Sequence, residues 1–144
     1  MIKIKKVNPS AKITIPRKGD AGIDLHTAND HPHALYPGDV NIFGTGIALS
    51  IPEGWVGLIT PRSGLGTRGL ILANGTGVID SSYRGEVMLP LWNRNDVGRA
   101  IEIDPYMKVA QLIVVPHYGP EYIEFVDELD DTDRGDNGFG STGH

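Results

Sequence analysis

Short segments in which apolar residues alternate with polar ones recur along the chain, separated by turn residues. Ile2/Ile4, Ile13/Ile15 and Ile47/Leu49/Ile51 place apolar side chains at every second position, the period of a strand with one buried face. The pattern predicts strands over residues 2–7, 12–15, 39–43, 47–51, 55–59, 86–92, 100–103 and 109–115. Leu112-Ile113-Val114-Val115 and Val87-Met88-Leu89 differ in kind, being unbroken apolar runs. Such runs predict strands covered on both sides, and in a chain this small the second cover could be another subunit. Only residues 63–72 leave room for a short helix, because Gly64, Gly66 and Gly69 weaken anything longer. Many short strands between turn signals predict an all-β sandwich or jelly-roll.

Glycine and proline supply the interruptions, with 19 and 10 of the 144 residues. The longest run free of both, EYIEFVDELDDTDR at 121–134, is too acidic to present a broad apolar helix face, so a helical bundle is excluded. At 40% hydrophobic and 22% charged, the chain suits one folded domain with a modest core. It shows no internal repeat and no dividing linker.

The absence of cysteine removes disulfides, thiolate metal sites and thiol nucleophiles together. The N-terminal IKIKKV alternates charged and apolar residues instead of building a signal-peptide core, and no apolar run approaches membrane-spanning length. The expectation is a cytoplasmic protein without a membrane partner. Thirteen basic against 18 acidic residues give a formal charge of −5, which argues against nucleic acid as a partner. A small phosphate ligand would need a local cationic site, with or without a metal ion. After Glu121 acids dominate and the chain ends in RGDNGFGSTGH; composition alone reads this as a disordered tail.

Five segments join glycines to ionisable or hydroxyl residues, which is how a chain brings bare backbone N–H groups to an anion. They are DAGIDL (20–25), PRSGLG (61–66), GVIDSSYRG (77–85), KVAQL (108–112) and RGDNGFGSTG (134–143). Singly, each is most often only a turn. In this order and at these separations, they resemble the motif set of the homotrimeric dUTP diphosphatases, from about Asp20 to Gly143. The resemblance implies a jelly-roll subunit with one short helix, over residues 1–120. It implies a C-terminal arm over 121–144 that closes on a neighbouring active site, and a homotrimer with three sites at subunit contacts. It also implies Mg²⁺ and hydrolysis of dUTP to dUMP and pyrophosphate, which limits uracil incorporation into DNA and supplies dUMP for thymidylate synthesis.

By the same resemblance, Asp80 is the general base that activates the attacking water. Tyr83 lies beneath the deoxyribose, where a 2′-hydroxyl would collide. Asn74 pairs with the uracil edge, since an amide offers the donor and acceptor that the base requires. Backbone groups of Gly77, Val78, Ile79 and Asp80 complete the reading, and Met88 lines the pocket. Arg62, Ser63 and the Gly64 amide form a phosphate clamp, and Gln111 stands near the phosphates. Asp24 faces the metal's water shell without direct ligation, while Asp20 is structural. In the arm, Phe139 stacks on uracil, Arg134 meets the γ-phosphate, and Gly140, Ser141 and Thr142 bind phosphate oxygens, which replaces the reading as a disordered tail. Read without the family, Asn74-Gly75 is a turn dipeptide, Ser63 a helix cap and Asp80 a hairpin-turn residue.

Two positions depart from the family pattern. Tyr106 stands where a glycine usually precedes Met107-Lys108, so a turn needing positive φ would be strained and the loop remodelled. Ser82 stands where Asp or Gly is common. Arg134-Gly135-Asp136, although it spells an adhesion tripeptide, is better explained by the arm. His31-Pro32-His33, near His26 and Asp30, reads as a solvated loop rather than a metal site. Trp55 and Trp92 are read as core or subunit-contact residues. The rivals are the related dCTP deaminase and a non-catalytic module that keeps the fold for regulation; Tyr83-Arg84-Gly85, Asp80 and the aromatic arm stand against them.

Overall fold

A computed structural model of the chain describes residues 1–136. Its strands are β1 (Lys3–Lys6), β2 (Ile13–Thr14), β3 (Ile23–His26), β4 (His33–Leu35), β5 (Val40–Ser50), β6 (Trp55–Pro61), β7 (Leu70–Leu72), β8 (Gly77–Ile79), β9 (Glu86–Asn93), β10 (Ile101–Ile103) and β11 (Lys108–Pro116). A single helical turn, α1 (Ser63–Gly66), follows β6, and a 3-10 turn spans Pro120–Tyr122. A four-stranded sheet in the order β1-β5-β9-β7 faces a five-stranded sheet in the order β2-β3-β11-β6-β8, and β10 pairs β4 as a separate ribbon. All pairings are antiparallel, giving a jelly-roll. Among the described residues no helix is long and apolar enough to cross a membrane.

The core lies between the sheets. Leu25, Ile59, Val109 and Leu112 pack from one side and Ile47, Leu49, Val87, Leu89 and Leu91 from the other, all essentially buried. Each fully buried aliphatic side chain contributes roughly 1.5–3 kcal/mol. β9 shows the alternation most clearly, with Val87, Leu89 and Leu91 inward and Met88 and Trp92 outward.

Several expectations are corrected. Residues 39–43 and 47–51 belong to one strand, β5, because Gly44-Thr45-Gly46 makes an irregularity within it rather than a turn. Gly46 takes φ +68, and a Cβ there would stand 2.7 Å from the Ala11 Cβ, so only glycine fits. Within 63–72 the helix stops after one turn and Leu70–Leu72 becomes β7, paired to β9. The unbroken apolar runs are not among these corrections: within one chain they are covered on one side, with Met88 46% exposed and Ile113, Val114 and Val115 half-buried, and the expected second cover was another subunit. Trp55 and Trp92, at 43% and 36% exposure, are not core residues. Residues 121–136 contribute no buried side chain.

The turn before β11 is kept despite Tyr106. This residue takes φ +58, the one non-glycine positive φ among the described residues, at a cost of roughly 1–3 kcal/mol. Its surroundings hold it there. His26 Nδ1 donates to its carbonyl at 2.8 Å, Lys12 Nζ lies 4.9 Å from its ring centroid, and its hydroxyl reaches Asp30 at 3.4 Å. The pairing of β11 with β3 then shifts register between Lys108 and Ala110.

A candidate active site in two halves

The predicted residues gather in two places. The first is a cavity of about 640 Å³ over the five-stranded sheet, whose lining includes Asp20, Gly22, Asp24, Lys108 and Gln111. Sheet register explains the grouping: Asp24 on β3 stands opposite Gln111 on β11, and Gln111 opposite Thr60 on β6. Partners in register share a face. Asp24 Oδ1 forms an ion pair with Arg62 Nε at 3.1 Å, and Oδ2 accepts from Lys108 Nζ at 3.0 Å. One carboxylate thus holds two cations at the mouth of the cavity, leaving a net positive charge there. Gln111 donates to the Pro61 carbonyl at 3.3 Å, which ties β11 to the strand end carrying Arg62.

Ser63 is the first residue of α1, and the cap position belongs to Arg62, whose side chain makes no cap bond. The reading of Ser63 as a cap is therefore corrected. Its hydroxyl has no hydrogen-bond partner among the described residues, and the backbone of Gly64 has open space around its Cα. Lys108 is the residue that sequence reasoning missed here. Its signal was a lysine three positions before Gln111 in an otherwise apolar strand.

The second half is a cavity of about 260 Å³ at β8 and β9, lined by Asn74, Gly77, Val78, Ile79, Asp80, Tyr83 and Met88 together with Ile59 and Glu86. The residues expected around the base and sugar meet here, apart from Phe139, which lies outside the described residues. β8 is the edge of its sheet, so one row of its backbone N–H and C=O groups faces outward unpaired. Gly77 lets β8 lie close on β6, since a Cβ there would stand 3.2 Å from the Ile59 Cβ. Asn74 sits in the preceding turn, where Gly75 takes φ +71 and donates to the Leu72 carbonyl at 3.0 Å.

The loop from Asp80 to Gly85 is built to hold a ring. The Tyr83 amide donates to the Asp80 carbonyl at 3.1 Å, and Arg84 Nη1 donates to the carbonyls of Ser81 at 2.6 Å and Tyr83 at 2.8 Å. Tyr83 lays its ring on Gly85, where a Cβ would stand 3.0 Å from Cε2, and its hydroxyl donates to the Glu86 carbonyl at 2.9 Å. Glu86 Oε1 accepts from the Gly46 amide at 2.7 Å. The Asp80 carboxylate has no such partner among the described residues and is exposed.

The halves lie apart within one chain. From Asp24 to Asp80 the path crosses from β3 through β11 and β6 to β8 and descends from the level of Thr60 to that of Val56. Strand spacing and rise put their backbones about 19 Å apart, far beyond hydrogen-bond reach.

Arg134 lies on the surface in the last described turn, where the Gly135 amide donates to the Thr132 carbonyl at 3.0 Å. Phe139, Gly140, Ser141 and Thr142 lie outside the described residues. His33 heads β4, edge-on to Phe43 at 5.4 Å, with Asn41 Nδ2 on its Nε2 at 2.8 Å. Among the described residues no three His, Cys, Asp or Glu side chains stand close enough to hold a metal ion.

Over 148 residues the chain is 42% identical to the deoxyuridine 5'-triphosphate nucleotidohydrolase of Escherichia phage T5, covering 99% of each chain. It is 44% identical over 146 residues to the protein of that name from Corynebacterium glutamicum, covering 97% of this chain and 94% of the other. Among solved structures, the Staphylococcus bacteriophage 80alpha dUTPase with dUPNHPP superposes with a TM-score of 0.87 at 28% identity, over 100% of this chain and 99% of that one. The dUTPase family profile matches residues 8–143, and the chain belongs to the dUTPase family.

Proposed function

We propose that the protein hydrolyses dUTP to dUMP and pyrophosphate in the cytoplasm, at sites assembled between the subunits of a homotrimer. The observation that carries this reading is the cavity at β8 and β9, where one unpaired carboxylate, Asp80, shares a small space with an amide, a fixed ring and a free strand edge. Uracil fits that edge. Asn74 supplies a donor and an acceptor to the base, and backbone groups of residues 77–80 supply the rest. Tyr83, held by Gly85 below and the Glu86 carbonyl beyond, walls off the sugar where ribose carries a 2′-hydroxyl.

Asp80 accepts a proton from a water as that water attacks the α-phosphorus. The new P–O bond forms as the α–β bridging P–O bond breaks, and pyrophosphate leaves. The charge that moves to the leaving phosphates needs donors, and Arg62, Ser63 and the Gly64 amide supply them, with Gln111 beside them. With about 19 Å between the halves of one chain, the clamp and the base meet on one nucleotide only when different subunits contribute them. The outward apolar residues of β9 and β11 and the half-exposed Trp55 and Trp92 are the surfaces such an assembly covers.

Direct metal ligation by the chain does not fit, because Asp24 is already bracketed by Arg62 and Lys108. Contact of Asp24 with metal-bound water does fit, with Mg²⁺ carried by the triphosphate, whose charge it offsets. Arg134, Phe139, Gly140, Ser141 and Thr142 belong to the arm that closes over the assembled site.

The test is pyrophosphate release with Mg²⁺ from dUTP, UTP and dCTP. Release from dUTP alone, with no ammonia from dCTP, is expected. Tight binding of dUTP without release would leave a binding module, and ammonia from dCTP would make the protein a deaminase.

A further inference from the structure

The cavity over the five-stranded sheet, about 640 Å³ against about 260 Å³ for the base-and-sugar cavity, runs past Asp24 to Ile15, Pro16, Arg17 and Gly19. Most of the donors in and around it are already engaged. Arg62 and Lys108 form ion pairs with Asp24 at 3.1 and 3.0 Å. Gln111 donates to the Pro61 carbonyl at 3.3 Å, and its Oε1 lies over Gly22, where a Cβ would stand 2.6 Å away. Arg17 is the exception. It lines the same cavity, is exposed, and its guanidinium meets no carboxylate among the described residues. With Arg62 at the mouth, the cations Arg17, Lys108 and Arg62 outnumber the carboxylates Asp20 and Asp24.

Sheet order sets where Arg17 stands. Thr14 on β2 is opposite Asp24 on β3, so residues 15–23 form the tip of a hairpin. Within that tip the Asp20 amide donates to the Arg17 carbonyl at 3.0 Å and Gly19 takes φ +101, which closes a turn over Arg17–Asp20. The turn holds the Arg17 backbone and leaves its side chain uncommitted. Three residues past Thr14, that backbone is within about 10 Å of the Asp24 level. Arg62 reaches Asp24 from the other side, from the end of β6 across β11. Along the order β2-β3-β11-β6, Asp24 therefore lies between the clamp and Arg17. A triphosphate gripped by the clamp beside its α–β bond and laid along the cavity brings its last phosphate to the β2 end.

We infer that Arg17 binds the terminal phosphate of the nucleotide and so selects a triphosphate over a diphosphate. This rests on the reading of the cavity as the phosphate half of the site. A planar guanidinium forks onto two oxygens of one phosphate, which a group already spent on a carboxylate cannot do. Arg62 and Lys108 must give up Asp24 before either meets the ligand with its full set of donors. Arg17 gives up nothing. It belongs to a hairpin of the core sheet, so it holds the phosphate before the arm closes, and it draws a polyanion toward a chain whose formal charge is −5.

The test compares full-length wild-type protein with Arg17→Gln and Arg17→Lys. Affinities for the α,β-imido analogues of dUTP and dUDP are measured by calorimetry with Mg²⁺. Arg17→Gln should weaken the triphosphate analogue about fivefold or more and leave the diphosphate analogue within about twofold, since the lost contact is charged but partly solvated. Arg17→Lys, which keeps the charge and loses the fork, should fall between. In turnover, KM for dUTP should rise by the same factor while kcat stays within about twofold, the mark of lost uniform binding. The melting temperature should not move, because the side chain is exposed. An unchanged affinity for the triphosphate analogue would overturn the proposal, and so would an equal loss for both analogues. Wild-type protein that binds the triphosphate analogue but releases no pyrophosphate from dUTP would overturn the hydrolysis reading alone. Wild-type protein that binds neither analogue would overturn both.

Discussion

Replacing Gly85 with alanine asks whether the Tyr83 ring is the wall that excludes a ribose. A Cβ at position 85 would stand 2.6 Å from Tyr83 Cζ and 3.0 Å from Cε2, and closer still to the hydroxyl oxygen. Carbon atoms rest in contact at about 3.5–4.0 Å, so the ring must retreat by about 1 Å. Its hydroxyl then gives up the 2.9 Å bond to the Glu86 carbonyl. On a side chain that is 43% exposed, this bond is worth at most about 1 kcal/mol. The melting temperature should fall by about 3–5 °C. The larger effect is on selection, because a retreat of that size opens room for one added oxygen. The ratio of kcat/KM for dUTP over UTP should fall at least about tenfold, or ~1.4 kcal/mol of discrimination. The assay is pyrophosphate release from each nucleotide at matched Mg²⁺. A melting temperature that drops as expected with an unchanged ratio would refute Tyr83 as the wall.

Asp80→Asn keeps the shape of the cavity and removes the proton acceptor, so turnover should fall about 10²–10⁴-fold while calorimetric dUTP affinity changes little; near-normal turnover would take Asp80 out of the base role. Gly57→Ala sets a Cβ 2.7 Å from Ile51 Cδ1 and 2.9 Å from Leu112 Cδ1, inside the core. Overpacking of this kind costs about 1–3 kcal/mol, read as a lower denaturant midpoint, and an unchanged midpoint would show that the two side chains repack freely. Removal of residues 134–144 should leave the assembly mass by light scattering unchanged and lower turnover. A smaller particle would assign those residues to assembly instead.

Period-two alternation made β1, β2, β9 and β10 legible to within a residue or two; β9 and β10 alternate buried with outward residues, whereas β1 shows the period although all of its residues are exposed. β3, β4, β7 and β8 were hidden, with β4 beginning in the His31-Pro32-His33 stretch that read as a loop and β7 in the 63–72 stretch that read as room for a helix. β3 and β8 lie inside glycine motifs that read as turns. The break in β5 looked like a turn because Gly-Thr-Gly carries turn chemistry; only the partner strand β9, holding the Thr45 hydroxyl at the Val87 carbonyl, shows it to be a bend. The cavity at β8 and β9 was legible through the family motif, as Asn74, Gly77, Asp80, Tyr83 and Met88 fall within one short stretch of sequence. The cation pair on Asp24 was not, because Arg62 and Lys108 come to one carboxylate through register across three strands. Tyr106 was expected to remodel its loop but keeps the turn at positive φ, because the contacts from Lys12, His26 and Asp30 that hold it there come from distant sequence.

Two carboxylates border the base-and-sugar cavity, and Glu86 is fastened to the Gly46 amide at the bend of β5. Turning it toward a water would strip that buried amide of its acceptor and loosen the bend where Gly46 meets Ala11 and Asn8. Glu86 is therefore no understudy for Asp80. Under the proposed role of Asp80 as base, its loss is not made good by Glu86 as that residue is held here. Variation at Glu86, by contrast, is read first as a change in stability, through the bend of β5 that its carboxylate holds.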